Sequence, residues 1–101
     1  MKKQTLTCIV RFLPKIGQEA FLLEKLDKLL DDTKKYEKSC FETKLMVNET
    51  KAQEICMTLS FNDYEEYRNH FKTAHLKDFV EKHSSSLVQS VDQELYRSVP
   101  E

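Results

Sequence analysis

Leu6, Cys8, Val10 and Phe12 alternate with Thr7, Ile9 and Arg11, the period-two signature of a strand with one strongly apolar face, ending near Leu13. Pro14 to Gly17, with the chain's only glycine, predicts a turn. The period then changes. From Gln18 to about Lys35, residues Ala20, Leu22, Leu23, Leu26, Leu29 and Leu30 form a wide helical stripe flanked by Glu19, Glu24, Asp27 and Lys28. Phe41, Thr43, Leu45 and Val47 alternate with Glu42, Lys44 and Met46. After a polar Asn48-to-Gln53 turn, Ile55, Met57, Leu59 and Phe61 alternate with Cys56, Thr58 and Ser60, which predicts a hairpin.

Asn62 or Asp63, with Glu65 or Glu66 three residues on, opens a second helical segment through a capping box. Tyr64, Tyr67, Arg68 and Phe71 fall at i, i+3, i+4 and i+7, and Leu76, Phe79, Val80 and His83 repeat that spacing. Lys72-Thr73-Ala74 lies between the two stripes, and Thr73 can cap a second start, so the spacing predicts a kink or short break. Ser84-Ser85-Ser86 reads as a fraying end. Val91, Gln93 and Leu95 alternate with Asp92, Glu94 and Tyr96 as a last strand. The order β-α-β-β-α-β predicts an α+β, ferredoxin-like fold, with both helices on one face of a four-stranded antiparallel sheet. With 101 residues, the chain is read as one domain, 1-101.

Composition narrows the function classes. Hydrophobic residues at 40%, charged residues at 33% and a net charge of −1 describe an ordinary globular protein, with no bulk attraction for an acidic partner. Lys34, Lys35 and Lys38 are offset by Asp31, Asp32 and Glu37, so the cluster reads as a solvated helix end and no nucleic-acid partner is expected. No apolar run reaches the roughly 20 residues that span a bilayer, and Met1 to Leu6 runs into strand pattern without a cleavage signature. A cytoplasmic protein without a membrane partner is expected. Cys8, Cys40 and Cys56 lack C-x-x-C spacing and read as reduced core thiols.

Candidate chemistry concentrates between Phe61 and Phe79. On one unbroken helix His70 and His75 would point about 140° apart; with a break at Thr73 they can converge on one cavity. Tyr64, Tyr67, Phe71 and Phe79 serve either as anchors of a helix packed on a sheet or as an aromatic pocket. The histidines lack i, i+4 spacing and no carboxylate or thiol completes a set with them, so no metal site is expected. His83 reads as a partner for a helix C-terminus. Neither a phosphate-cradling glycine loop nor a nucleophile elbow is present.

The tract His70-Phe71-Lys72-Thr73-Ala74-His75, followed by Leu76 and Phe79, resembles the second helical region of the antibiotic biosynthesis monooxygenase domain, a family that includes quinol monooxygenases and enzymes that process the autoinducer-2 signal. The resemblance covers nearly the whole chain through its order of elements. It implies a homodimeric α/β barrel and a substrate cavity between sheet and helices. It also implies chemistry without a metal or organic cofactor: a bound quinol or polyphenol is deprotonated, and its anion reacts with dioxygen. Histidine, which titrates near neutral pH, suits the base. The resemblance makes His75 the first choice and His70 the second, with Phe61, Tyr64, Tyr67, Phe71 and Phe79 lining an aromatic substrate site and Arg11 a further candidate for an anionic group.

Several positions depart from the family pattern. Phe61 stands where an indole is common, Thr43 where a strand aromatic is common and Ser39 where glycine is usual. Strand one lacks the asparagine of the haem-degrading relatives, whose tryptophan and haem-ligand positions fall near His70 and Val80, so haem degradation is not expected. Two other readings stay open: an isomerase-like enzyme acting on a small phosphorylated hydroxyketone, and a non-enzymatic dimer that binds a small ligand.

Overall fold

Burial follows the strand alternation. In the computed structural model, which describes residues 5–51 and 53–99, strand β1 (Leu6–Pro14) buries Leu6, Cys8, Val10 and Phe12 on one face and leaves Thr7, Ile9 and Arg11 half-buried on the other. Residues 1–4 of the expected leading segment, Ala52 in the expected turn and residues 100 and 101 lie outside the described residues. Strand β2 (Cys40–Val47), strand β3 (Ile55–Phe61) and strand β4 (Val88–Arg97) complete an antiparallel sheet in the order β2-β3-β1-β4. Ile55, Met57, Leu59 and Phe61 face the same core as β1, and Leu22, Leu26, Leu29 and Leu30 of helix α1 (Glu19–Tyr36) cover it. The ferredoxin-like fold expected from the periodicities is the fold of the chain.

The second helical region is broken where expected. Helix α2 (Tyr64–His70) starts at Asp63, whose side chain accepts from the Glu66 backbone N–H at 2.9 Å. The reciprocal half of the box is absent, since the Glu66 carboxylate accepts from the Ser39 hydroxyl at 2.8 Å. After His70 the chain tightens: the N–H groups of Phe71, Lys72 and Thr73 donate three residues back, and the Thr73 hydroxyl donates to the His70 carbonyl at 2.7 Å. Thr73, extended at ψ 147°, then opens helix α3 (Ala74–Phe79).

Three details correct the sequence reading. A bulge between Cys40 and Glu42 buries Cys40 and turns Phe41 off the core face, 54% exposed, so only Thr43, Leu45 and Val47 keep the expected alternation. The Ser84–Ser86 stretch is not frayed. A π-helical turn at Val80–Ser84 passes into the one-turn helix α4 (Ser85–Leu87), which buries Leu87 and starts β4 three residues earlier than the alternation suggested. His83 consequently sits inside this helical run and packs on Phe79, with ring centroids 6.0 Å apart, instead of ending a helix.

Cys8 and Cys40 are core thiols, and burial pushes each up to about 11, which keeps the sulfur protonated. Cys56, opposite Arg11 in the sheet register, is half-buried on the outer face. No described helix is long and apolar enough to cross a membrane.

Candidate functional site

The site begins on the buried stripe of α1. Leu26, Leu30 and Thr33 follow helical spacing, and the next position on that stripe is Glu37. Thr33 is fully buried, its hydroxyl donating to the Leu29 carbonyl at 2.9 Å. The Glu37 N–H still donates to the Thr33 carbonyl as if the helix continued, but its backbone leaves helical geometry at ψ 89°. The chain turns there while the carboxylate stays under α2 and α3. Only 9% of that side chain is exposed.

A buried carboxylate needs partners, and two imidazoles supply them. His70, at the end of α2, donates from Nδ1 to Glu37, 2.9 Å from each carboxylate oxygen. His75, in the first turn of α3, donates from Nε2 to Glu37 Oε2 at 2.5 Å. Burial pushes the Glu37 carboxyl up, but the hydrogen bonds and charge of His70 and His75 outweigh it and hold the group below the ordinary carboxylate range. An ionised carboxylate only accepts, so these contacts fix a proton on His70 Nδ1 and on His75 Nε2. In the neutral rings the lone pairs then lie on His70 Nε2 and His75 Nδ1.

Aromatic rings hold the two imidazoles from different sides. Phe61, fully buried, lies 5.4 Å from the His70 ring, and Phe71 lies 5.6 Å from it. Tyr36 stacks on His75 at 6.2 Å and 23°. His75 also lines an open cleft of about 590 Å³ with Tyr36, Thr73, Ala74 and Asp78. A narrower cleft beside it, about 120 Å³, is lined by Lys25, Lys28, Asp32, His75 and His83, among others.

The expected site residues divide into groups. His70 and His75 converge, their rings 6.3 Å apart, because the break at residues 71–73 reorients α3. Phe61 and Phe71 support His70, and Tyr67 packs against both while its hydroxyl accepts from Gln93 at 2.8 Å. Tyr64 lies 56% exposed at the edge of this aromatic group, and Phe79 is buried against Phe12. Arg11 does not join them. It is on the opposite sheet face, paired with Glu94 and 3.8 Å from Asp92.

Two expectations are corrected. Glu37 does not belong to a solvated helix end, and a carboxylate does complete a set with the histidines: one donor atom each from Glu37, His70 and His75 lie within 4.8 Å of one another. The signal for Glu37 was its place on the α1 stripe, where charge composition had grouped it with its exposed lysine neighbours.

Replacing Glu37 by Ala leaves the N–H groups of two largely buried imidazoles without an acceptor. The expected cost is about 2–4 kcal/mol in urea unfolding, with a smaller loss for Glu37→Gln, which keeps an oxygen acceptor. Wild-type stability in Glu37→Ala would contradict the clamp.

Comparison with known proteins agrees with the fold. A protein of Shewanella oneidensis is 24% identical with a TM-score of 0.88, covering 96% of this chain and 93% of its own. A Pseudomonas aeruginosa protein is 20% identical at 0.86, covering 99% and 98%. A Caulobacter crescentus protein, proposed to be an antibiotic biosynthesis monooxygenase, is 12% identical at 0.88, covering 97% and 92%. At these identities the likeness is one of fold. No curated protein matches the sequence. The family model for antibiotic biosynthesis monooxygenase matches residues 5–82, a span that holds Glu37, His70 and His75, and the chain belongs to that family.

Proposed function

We propose that this protein is a cofactor-independent monooxygenase that oxidises a small quinol or polyphenol with dioxygen, with His75 as general base. The observation that carries the reading is the Glu37–His75 contact beside an open cleft. A carboxylate that holds one imidazole nitrogen fixes the ring's orientation, directs the lone pair to the other nitrogen and stabilises the cation formed when the ring takes a proton. His75 Nδ1 is the atom that would take it. His70, more deeply buried and bound to the same carboxylate, is the second member of the pair and keeps Glu37 in place.

On this reading a substrate hydroxyl loses its proton to His75, and the resulting electron-rich anion reduces dioxygen. One oxygen atom stays in the product, which becomes a hydroxyquinone. The other leaves as water with two hydrogens from the quinol, so the substrate supplies all four electrons that dioxygen takes up and no external reductant is needed. The protein contributes orientation, a proton acceptor and partial exclusion of water.

The pairing of two imidazoles on one carboxylate also suits a second reading, an isomerase-like enzyme in which one ring removes a proton from carbon and the other returns it, without consuming oxygen. Oxygen uptake separates the two. Chelator-treated protein with a panel of small quinols is expected to consume oxygen above autoxidation, with a loss of about 10²–10⁴-fold in His75→Ala. Background uptake on every quinol, or uptake indifferent to His75→Ala, would contradict the monooxygenase reading.

We further propose that the chain works as a homodimer through the sheet face opposite the helices. That face presents Thr7, Ile9, Arg11, Met46 and Tyr96, and Met46 and Tyr96 are 43% and 50% exposed. Light scattering is expected to give twice the chain mass, and the mass of one chain at micromolar concentration would contradict the proposal.

A further inference from the structure

The Glu37, His70 and His75 cluster has a property that proton transfer does not require: three metal-ligating atoms of compatible type already lie close together. Glu37 comes from the end of α1, His70 from the end of α2 and His75 from the start of α3, so three separate elements place the donors. Their side chains are 9%, 5% and 10% exposed. The chosen atoms lie within 4.8 Å of one another. Bonds of about 2.1 Å in near-tetrahedral geometry separate donors by roughly 3.4 Å. The Glu37 contacts of 2.5 and 2.9 Å therefore need to open by less than about 1 Å, through rotation of one carboxylate and two rings.

We propose that Glu37, His70 and His75 form a binding site for a divalent first-row transition-metal ion of the zinc type. Two neutral imidazoles and one carboxylate are a borderline donor set that suits such ions, whereas magnesium and calcium require more oxygen ligands. Three protein ligands leave further positions open to water, and Glu37 itself lines a cleft of about 420 Å³ with Tyr36, Ser39, Asn69 and Thr73. Loading moves the ring protons from His70 Nδ1 and His75 Nε2 to the opposite nitrogens, freeing those atoms to coordinate. The same atoms hold Glu37 in the metal-free protein, so the metal-bound state and the histidine-base state exclude each other. The site thus goes beyond the proposed monooxygenase function and makes zinc an inhibitor of it.

Cobalt(II) is the probe, because its visible absorption is intense only in four- or five-coordinate sites and zinc displaces it. Chelator-treated full-length protein, without quinol, is expected to bind one cobalt per chain with such a band. His75→Gln, at the most exposed edge of the cluster, is expected to weaken binding by more than about a hundredfold, the upper end of what loss of an outer partner alone costs. His83→Gln, which alters the one other histidine, should leave binding intact. Circular dichroism confirms that each variant is folded, and Glu37→Gln, which replaces the charged ligand by a weaker neutral oxygen, is an independent variant expected to weaken cobalt binding. A band that never saturates, one that persists in His75→Gln, or one lost in His83→Gln would overturn the proposal. Because binding is read without substrate, failure of oxygen uptake leaves this result unaffected.

Discussion

A carboxylate removed from water needs compensating donors, and the site is arranged around that requirement at Glu37. The side chain lies where the buried stripe of α1 would continue, beneath α2 and α3, and its two oxygens accept from His70 and His75. Local features that look independent serve this one contact. The extended Thr73 redirects the chain so that His75 returns to the carboxylate. The turn after Glu37 is tied to the start of α2 through the Asn62 N–H to the Ser39 carbonyl and through the Ser39 hydroxyl to Glu66. Phe61, at the end of β3, supports the His70 ring from below.

The sheet divides its labour by strand. β1 and β3 are central and bury their apolar face under α1 and α3, as the near-complete burial of Met57, Leu59 and Phe61 records. β4 is an edge strand, and its corresponding residues Val91 and Leu95 remain 57% and 38% exposed. The helical layer therefore covers the central strands fully and both edge strands incompletely, with Val47 of β2 53% exposed. Tyr67 reaches across the β4 margin to Gln93 through its hydroxyl. The histidine pair lies away from this margin, against the fully covered strands, where low exposure strengthens each polar contact.

How much of this was legible in the sequence depended on how local its cause was. The strands, α1 and the break at Thr73 follow from short-range periodicity and capping, and they hold in the structure. The break also gave the convergence of His70 and His75, since it is the only way residues five apart can share a partner here. The bulge at Cys40 and Glu42 was not legible, because alternation continues through it and only the pairing register with β3 reveals the extra residue. Glu37 was misread for a related reason. Its neighbours Lys34, Lys35 and Lys38 are exposed, and composition averages over a helix face that geometry divides. Arg11 was assigned by parity to the outer sheet face, and parity was the better guide than its possible chemistry.

The most direct test of the carboxylate clamp is a long-range ¹H–¹⁵N correlation spectrum of the histidine side chains in metal-free protein at neutral pH. The account predicts that His70 Nδ1 and His75 Nε2 both carry protons protected from exchange. A deprotonated His70 Nδ1 or His75 Nε2, or averaging of either ring as in a free imidazole, would contradict it.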